Sequence, residues 1–173
     1  MSVFFTADSH WNHANIIKYC NRPFQSVDEM NRTIIDNINA KVSSKDTLYF
    51  LGDFAFGPMA PFREQINCGN IVLIRGNHDR QIDRKLFSSI NDIAEYKNNG
   101  LNIVLCHYSF RVWNKSCHDS FHLFGHSHGT LKIDEGSLSM DVGVDCNNFH
   151  PYSLDEIVKI MEYKKSTRGA NHE

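Results

Sequence analysis

Clusters of aspartate, histidine and asparagine side chains follow short apolar segments in this sequence of 173 residues. The most informative segment is residues 71–74, an apolar run that is followed closely by Gly76-Asn77-His78-Asp79. An apolar run without polar alternation is typical of a strand that is covered on both faces. Gly76 permits a sharp turn from which the next three side chains can point to one place. The segment therefore has the means to bind a metal ion or move a proton, although an ordinary turn explains this stretch alone equally well.

The same arrangement recurs at four further apolar segments. The polar residues at the five segment ends are Asp8 and His10, Asp53, Asn77 with His78 and Asp79, His107, and His126 with His128. Each group taken alone has a structural explanation, such as a helix cap, a turn or a satisfied core histidine. Because ligand sites in α/β sheets lie beyond the carboxyl ends of the strands, the repetition favours one polar site at a common edge.

The donor types indicate a transition-metal site. Carboxylate, imidazole and amide ligands without thiolates suit Mn²⁺, Fe²⁺, Zn²⁺, Co²⁺ or Ni²⁺ better than Ca²⁺ or Mg²⁺. The candidate ligands are too many for one tetrahedral ion, but they fit two ions about 3.5–4 Å apart that share a carboxylate. With Asp8, Asp53 and a bridging hydroxide, two divalent ions carry a net charge of about +1, which attracts an anion such as a phosphate group.

The apolar segments predict the strands that position these residues. Strands are expected at 3–7, 47–51, 71–74, 93–96, 101–105 and 121–124, and helices at 11–20, 28–42 and 58–66 and after the capping box that begins at Ser153. Asn98-Asn99-Gly100 predicts a hairpin turn between two of these strands. Asp134-Glu135-Gly136 predicts a second hairpin, between 131–133 and 138–142. Residues 85–90 are expected to form a helical turn, and a polar, frayed tail is expected from about Lys164.

Bulk composition is that of an ordinary globular protein. With 41% hydrophobic and 22% charged residues, one domain over residues 1–173 is expected. The net charge of −2 provides no long basic stripe, so dedicated duplex nucleic-acid binding is not expected. No apolar segment approaches the roughly 20 residues that cross a bilayer, which favours a cytoplasmic protein without a membrane partner. Five cysteines without a C-x-x-C pair are expected to be free thiols.

In order and spacing, the polar motifs resemble those of the calcineurin-like dimetal phosphoesterases, a superfamily with small bacterial and bacteriophage members. The matching motifs are Asp8-Ser9-His10, Gly52-Asp53, Gly76-Asn77-His78-Asp79, His107 and Gly125-His126-Ser127-His128. The resemblance implies an α/β fold in which two mixed β-sheets pack as a sandwich flanked by helices, with the metals at the carboxyl ends of strands. It also implies that Asp8, His10, Asp53 and His128 hold one ion and that Asp53, Asn77, His107 and His126 hold the other. Asp53 is then the bridging ligand.

The function that we expect is hydrolysis of a small phosphodiester or nucleotide-like substrate by a metal-bridging hydroxide. The resemblance implies that His78 lies near the leaving oxygen and that Asp79 orients it. An imidazole beside a carboxylate can carry the proton that a leaving alkoxide needs. A chain of 173 residues leaves no room for a large cap domain, which favours an open site and a diester. A phosphomonoesterase, a nuclease and a non-catalytic metal-containing scaffold are the alternatives.

Four further residues are candidates for substrate contact. Asn12 and His13 can touch a phosphate from the start of a helix, or they only cap that helix. In residues 108–115, Trp113 can stack on a base while Arg111 holds a phosphate, or the segment is an ordinary loop with its aromatic side chains packed inward. Asp141 and Asp145, which bracket a strand, are interpreted as structural.

Overall fold

The computed structural model describes residues 1–134 and 136–168, which form two mixed β-sheets flanked by helices. The strands are β1 (Val3–Thr6), β2 (Thr47–Phe50), β3 (Asn70–Ile74), β4 (Ser89–Asn91), β5 (Ile93–Asn98), β6 (Leu101–Cys106), β7 (Phe121–Phe124), β8 (Ser139–Asp141) and β9 (Tyr152–Ser153). The helices are α1 (Ala14–Tyr19), α2 (Val27–Lys41), α3 (Ala60–Arg63) and α4 (Leu154–Thr167). One sheet has the order β4-β3-β2-β1-β9 and the other β5-β6-β7-β8.

The first sheet is parallel from β1 to β4, with β9 antiparallel at its edge. One face of this sheet packs against α2. The apolar residues of α2 recur with the spacing of helical turns and form a core with Trp11 and residues of β1 to β3. The Ser26 side chain accepts from the Glu29 N–H and caps the start of α2. Helical connections on this face explain how the sheet stays parallel, so that β1, β2 and β3 all end at the same edge.

The second sheet begins with the expected hairpin of β5 and β6 and continues in parallel through β7 and β8. Its inner face meets the first sheet in a second core. The Phe5 ring stacks on Tyr49 of its own sheet and meets Tyr96 of the other sheet edge-on. Ile157 and Met161 of α4 pack into the same core, behind the capping box that the sequence predicts.

The two sheets join next to the ends of their strands. Ala7, just after β1, forms a parallel bridge with Gly143, just after β8. Nearby, the Asp8 N–H donates to the Gly52 carbonyl and the Gly125 N–H donates to the His107 carbonyl, each at 3.0 Å. The strand ends of both sheets are thus tied together by backbone hydrogen bonds.

Two predicted elements differ from the structure at places that bear on function. The first helix begins at Ala14 rather than Trp11, because Asn12 has a left-handed backbone with φ of 65° and cannot continue a helix. The second predicted hairpin is wrong, since residues 131–133 form no strand and β8 pairs in parallel with β7. The side chain of Lys164 from α4 donates to the Ser139 carbonyl on β8, where the predicted hairpin would have placed a strand partner. Glu135 of the predicted turn lies outside the described residues.

Smaller differences concern helix ends. Residues 84–86 form a 3₁₀ turn as expected, but Ile90 lies in β4, which extends the first sheet. The last helix continues through Lys164 to Thr167, and residues 169–173 lie outside the described part of the chain. All five cysteines are free thiols, of which Cys68 and Cys106 are buried. None of the helices that the structure describes is long and apolar enough to span a membrane.

Candidate metal centre

The strand ends bring the predicted metal ligands together in two groups. Ligand atoms of Asp8, His10 and His128 lie within 4.8 Å of one another, and so do those of Asp53, His107 and His126. The Asn77 amide joins the second group, with its Oδ1 3.1 Å from His107 Nε2. The elements that carry these residues are the connections after β1, β2, β3, β6 and β7.

Asp53 lies between the two groups. Its Oδ2 is 3.4 Å from Nε2 of His10 in the first group and 3.5 Å from Nε2 of His107 in the second. Its Oδ1 accepts a hydrogen bond of 2.9 Å from the His78 N–H. The carboxylate is almost fully buried, so it is well placed to be shared by two cations.

The ring nitrogens of the histidines fit bound cations. His107 Nδ1 lies 2.7 Å from the Leu51 carbonyl and His128 Nδ1 lies 2.7 Å from an Asp145 carboxylate oxygen. These contacts orient each ring and leave its Nε2 as the metal-facing atom, as is usual for ligating histidines. His10 Nε2 is buried and has no hydrogen-bond partner in the described part of the chain. A buried nitrogen without a partner costs free energy that a bound cation would remove.

The backbone at the site is held in an unusual conformation. Five ligands have left-handed φ angles between 48° and 67°, namely Asp8, His10, Asp53, His126 and His128. Residues other than glycine rarely adopt this conformation, and it concentrates at functional sites. Gly76 shows how tightly the segments approach, since a Cβ atom there would lie 2.3 Å from Asp53 Oδ1. The connections that follow the strands therefore have strained backbone and close contacts, and this conformation directs the ligand side chains toward one another.

Burial and mutual charge shift the pKa values of the ligands. Burial raises the pKa of Asp8 to about 7 and lowers the pKa of His10 to about 3. Burial opposes ionisation of Asp53, but the hydrogen bond and positive charge of His107 outweigh it and lower the Asp53 pKa to about 2. Burial likewise disfavours the charged form of His107, yet Asp53 and Asp8 raise its pKa to about 8. In the metal-free protein, a proton on His107 thus supplies part of the positive charge that a bound cation would supply beside Asp53 and Asp8.

A buried ion-pair network supports the first group from behind. Arg22 donates through Nε and Nη2 to the two carboxylate oxygens of Asp145, both at 2.8 Å, and through Nη2 to the Asp8 carbonyl at 2.7 Å. The other partner of Asp145 is His128, so one carboxylate connects Arg22 to a metal ligand. The interpretation of Asp145 as structural is incomplete, because it positions a ligand. Arg22 was not foreseen at all, and no local sequence pattern distinguishes it.

Asp79 has a different environment from the one predicted. Its Oδ2 accepts from the backbone N–H groups of Asp53 and Gly76, and its Oδ1 accepts from that of Phe54, at 2.8 to 2.9 Å. Burial raises its pKa, although these three donors favour the ionised form. The carboxylate therefore clamps the connection after β2 to the connection after β3, and its described hydrogen bonds do not include the His78 ring that it was predicted to orient.

His78 itself lies at the accessible side of the site. Its side chain is exposed, and the centre of its ring is 5.3 Å from the centre of the His10 ring. The backbone hydrogen bond to Asp53 holds it next to the metal ligands. This position is compatible with the predicted transfer of a proton to a leaving group.

The predicted substrate contacts at Asn12 and His13 have other neighbours. The Asn12 N–H donates to the side chain of Asn31, and its amide donates to the Phe56 carbonyl. The His13 ring stacks on Phe56 with ring centres 4.8 Å apart. Since Asn12 precedes the helix and its N–H is already used, the expected anion contact at a helix start has no support from the backbone.

Arg111 and Trp113 lie in the long connection after β6. Arg111 is exposed. Trp113 is half-buried, packs on the His122 ring and donates from its indole nitrogen to the Ser120 carbonyl. Ser120 precedes β7, whereas the metal ligands follow it, so these contacts hold Trp113 toward the opposite end of the strand. Its position serves packing and gives no support to base stacking at the site.

Comparison with known proteins agrees with this geometry. Residues 1–144 match the model of the calcineurin-like phosphoesterase superfamily domain. An uncharacterised protein of Methanocaldococcus jannaschii, MJ1445, is 39% identical over 180 residues, which cover 98% of this chain and 96% of that protein.

A solved structure with a TM-score above 0.5 shows the same type of fold. The protein of unknown function AQ665 from Aquifex aeolicus superposes with a TM-score of 0.71 at 22% identity, covering 92% of this chain and 98% of that one. The E. coli phosphoesterase YfcE has a TM-score of 0.48 at 19% identity, covering 83% and 78% of the two chains. Together with the family match over most of its length, the arrangement of the ligands leads to one conclusion: the chain belongs to the calcineurin-like phosphoesterase superfamily.

Proposed function

We propose that this protein hydrolyses a small phosphodiester with the help of two divalent transition-metal ions, such as Mn²⁺, Fe²⁺, Zn²⁺ or Ni²⁺. The observation that carries the proposal is Asp53, a buried carboxylate between two groups of ligands. His10 Nε2, which has no hydrogen-bond partner among the described residues, lies 3.4 Å from it. Asp8, His10 and His128 would hold one ion, and Asn77, His107 and His126 the other, with Asp53 shared. When bound, such a pair of ions activates water and stabilises the negative charge of the reacting phosphoryl group.

The residues of the chain supply orientation and a proton. Leu51 and Asp145 hold the rings of His107 and His128 through their Nδ1 atoms, which fixes the direction of each Nε2. Asp79 accepts from the backbone N–H groups of both Asp53 and Gly76, which fixes the backbone that carries the proposed bridging carboxylate. These contacts build the site before any substrate arrives, which is what electrostatic catalysis requires.

His78 is the proposed proton donor to the leaving oxygen. Its backbone is fixed by Asp53, and its exposed ring can exchange protons with water between turnovers. A general acid in this position typically contributes a factor of about 10²–10⁴ to the rate. An alkoxide leaving group depends on that proton more than a stable phenolate does.

A diester is favoured over a monoester because the site is open. Asn77, His78 and His126 all have exposed side chains, so the second ester group of a diester has room beside the ligands. A nuclease acting on single strands uses the same chemistry but differs in its strong dependence on salt, since it contacts many phosphates.

Elemental analysis of the purified protein combined with a substrate panel tests the proposal. The panel is bis-(p-nitrophenyl) phosphate, p-nitrophenyl phosphate, cyclic nucleotides and single-stranded DNA at two salt concentrations. We expect about two ions per chain and faster turnover of the diester than of the monoester. Two bound ions without turnover of any ester would favour the scaffold alternative, and full activity of metal-stripped protein would refute the proposed mechanism.

A further inference from the structure

A cavity of about 790 Å³ has His78 in its lining and contains none of the seven predicted metal ligands among its lining residues. Its walls come from the connection after β2, including Phe56 and Met59, and from the connection after β3, including Arg80 and Leu86. These are the connections that also carry Asp53 and Asn77. The volume lies in the range of pockets that bind small organic ligands.

The cavity offers one face of an aromatic ring. Phe56 lies nearly parallel to His13, with an interplanar angle of 13°, so that one side of its ring is already covered. The side chain nevertheless remains 54% exposed, and the exposed part lines the cavity. Met59 and Leu86 add apolar surface nearby. A planar ring that enters the cavity can stack on Phe56 and extend the existing pair.

The Phe56 platform is held in place from the backbone. The Phe56 N–H donates to the Trp11 carbonyl at 2.8 Å, and the Asn12 amide donates to the Phe56 carbonyl at 3.5 Å. Asn12 and His13, which the sequence marks as substrate contacts, thus support Phe56 from behind. A platform that is already ordered loses little conformational freedom when a ligand binds.

The charges around the cavity favour an uncharged group. Arg80 and Asp83 contribute opposite charges to its lining. One Asp83 oxygen already accepts from the Lys85 N–H at 2.9 Å. Apart from His78 at the mouth, which is assigned to the leaving oxygen, the charges of the lining therefore balance and offer no separate cationic site for a second phosphate.

We propose that this cavity binds an uncharged planar aromatic ring on the leaving-group side of the phosphoester, either a nucleobase or a simple aryl group. The orientation of the substrate rests on the proposed function, because it assigns His78, at the mouth of the cavity, to the leaving oxygen. Phe56 is the residue that determines specificity for the ring. The binding of the ring itself needs no hydrolysis and is measured separately.

The test measures binding to metal-free and metal-loaded protein by ligand-observed NMR. The aromatic probes are adenosine and 4-nitrobenzyl alcohol, and the matched non-aromatic probes are ribose and cyclohexanol. Phe56→Ala should weaken binding of the aromatic probes about threefold to tenfold, and Phe56→Trp should preserve it. Phe56→Leu keeps apolar area without a ring and should resemble Phe56→Ala. Tyr163→Ala removes another exposed aromatic residue, far along α4, and should have no effect.

The outcomes separate this inference from the proposed function. Tighter binding of adenosine identifies a nucleoside as the leaving group, whereas binding of the nitrobenzyl probe alone identifies a simple aryl ester. Both results support the cavity even if no ester is hydrolysed. Equal binding of aromatic and non-aromatic probes, or aromatic binding that Phe56→Ala leaves unchanged, overturns the inference even if the protein proves to be an active diesterase. In an active enzyme, the same variant should raise KM for bis-(p-nitrophenyl) phosphate with little change in kcat.

Discussion

Asp145→Asn should weaken one of the two metal positions and leave the other intact. In the structure, Asp145 accepts three hydrogen bonds, at 2.7 Å from His128 Nδ1 and at 2.8 Å from each of two Arg22 nitrogens. Asparagine has a single acceptor oxygen, so it cannot accept at both ends of the side chain. If that oxygen takes the place of Oδ2, His128 and Arg22 Nη2 keep a partner and only Arg22 Nε loses one. The remaining bonds also lose their charge assistance, which roughly halves their strength.

The size of the effect follows from this count. Loss of an outer partner of a metal ligand typically costs about 10- to 100-fold in metal affinity. Because Asp145→Asn keeps the hydrogen bond from His128, we expect metal affinity to fall about tenfold, at the lower end of that range. Asp145→Ala removes the hydrogen-bond acceptor of both His128 and Arg22, and we expect metal affinity to fall about 100-fold. It should also lower the free energy of unfolding by about 3–5 kcal/mol, since the buried guanidinium of Arg22 loses its carboxylate partner and keeps, among the described residues, only backbone carbonyls as acceptors of oxygen type.

Competition with a chromophoric chelator at fixed pH measures the affinities of the two positions. In metal-free protein, an NMR titration of His128 gives a second readout. Burial lowers the pKa of His128, but the hydrogen bond that His128 donates to Asp145 raises it overall, so both variants should lower this pKa. Asp36→Asn, at an exposed position on α2, is the matched control. The reasoning fails if folded Asp145→Ala binds both ions as tightly as the parent, or if the two positions weaken equally.

Three further predictions concern the site itself. His78→Ala should lower kcat by about 10²–10⁴ without changing the metal content, and the loss should be smaller for a p-nitrophenolate leaving group; an equal loss for alkyl and nitrophenyl esters would contradict proton donation. Asp53→Ala should lower the metal content of both positions, as elemental analysis would show, whereas full occupancy of both would refute the shared carboxylate. Metal affinity should rise from pH 6 to pH 8, because the metal-free protein holds protons on Asp8 below about pH 7 and on His107 below about pH 8. Chelator competition should show about a tenfold gain per pH unit for each proton released, and a flat profile would argue against displacement of these protons.

The sequence predicts the gathering of the ligands because each strand end carries its own local signal. An apolar run followed by Asp8, Asp53, Asn77, His107 or His126 marks both the strand and the polar group at its carboxyl end. Because parallel strands end at the same edge, this signal predicts the gathering within each sheet. The junction that brings the edges of the two sheets together, at Ala7 and Gly143, carries no such local signal. The resemblance to a known family supplies the division between two ions, which stays a prediction, and the structure brings the ligand atoms of Asp8, His10 and His128 close together and likewise those of Asp53, His107 and His126.

The supporting contacts could not be predicted because they depend on distant parts of the chain. Arg22 and Asp145 are separated by 123 positions, and neither belongs to a periodic pattern. Asp79 is adjacent to His78 in the sequence, but its carboxylate is used by backbone groups of another connection. Asn12 has the composition of a helix start, yet its left-handed backbone places it before the helix. In each case tertiary contacts decide the role of a polar residue whose type suits several roles.

The left-handed backbone of the predicted ligands explains why buried hydrogen bonds are needed to hold the connections that carry them. For residues other than glycine, this conformation costs about 1–2 kcal/mol per residue relative to the right-handed one, so it persists only where surrounding contacts impose it. Asp79 holds this conformation in the connection that carries Asp53, because it accepts from the Asp53 N–H. Arg22 holds it at Asp8, because it donates to the Asp8 carbonyl. Both clamping side chains are buried. The strained backbone at Asp53 and Asp8 is therefore held by two residues that are not among the predicted metal ligands, so holding it does not use the carboxylate oxygens of Asp53 and Asp8.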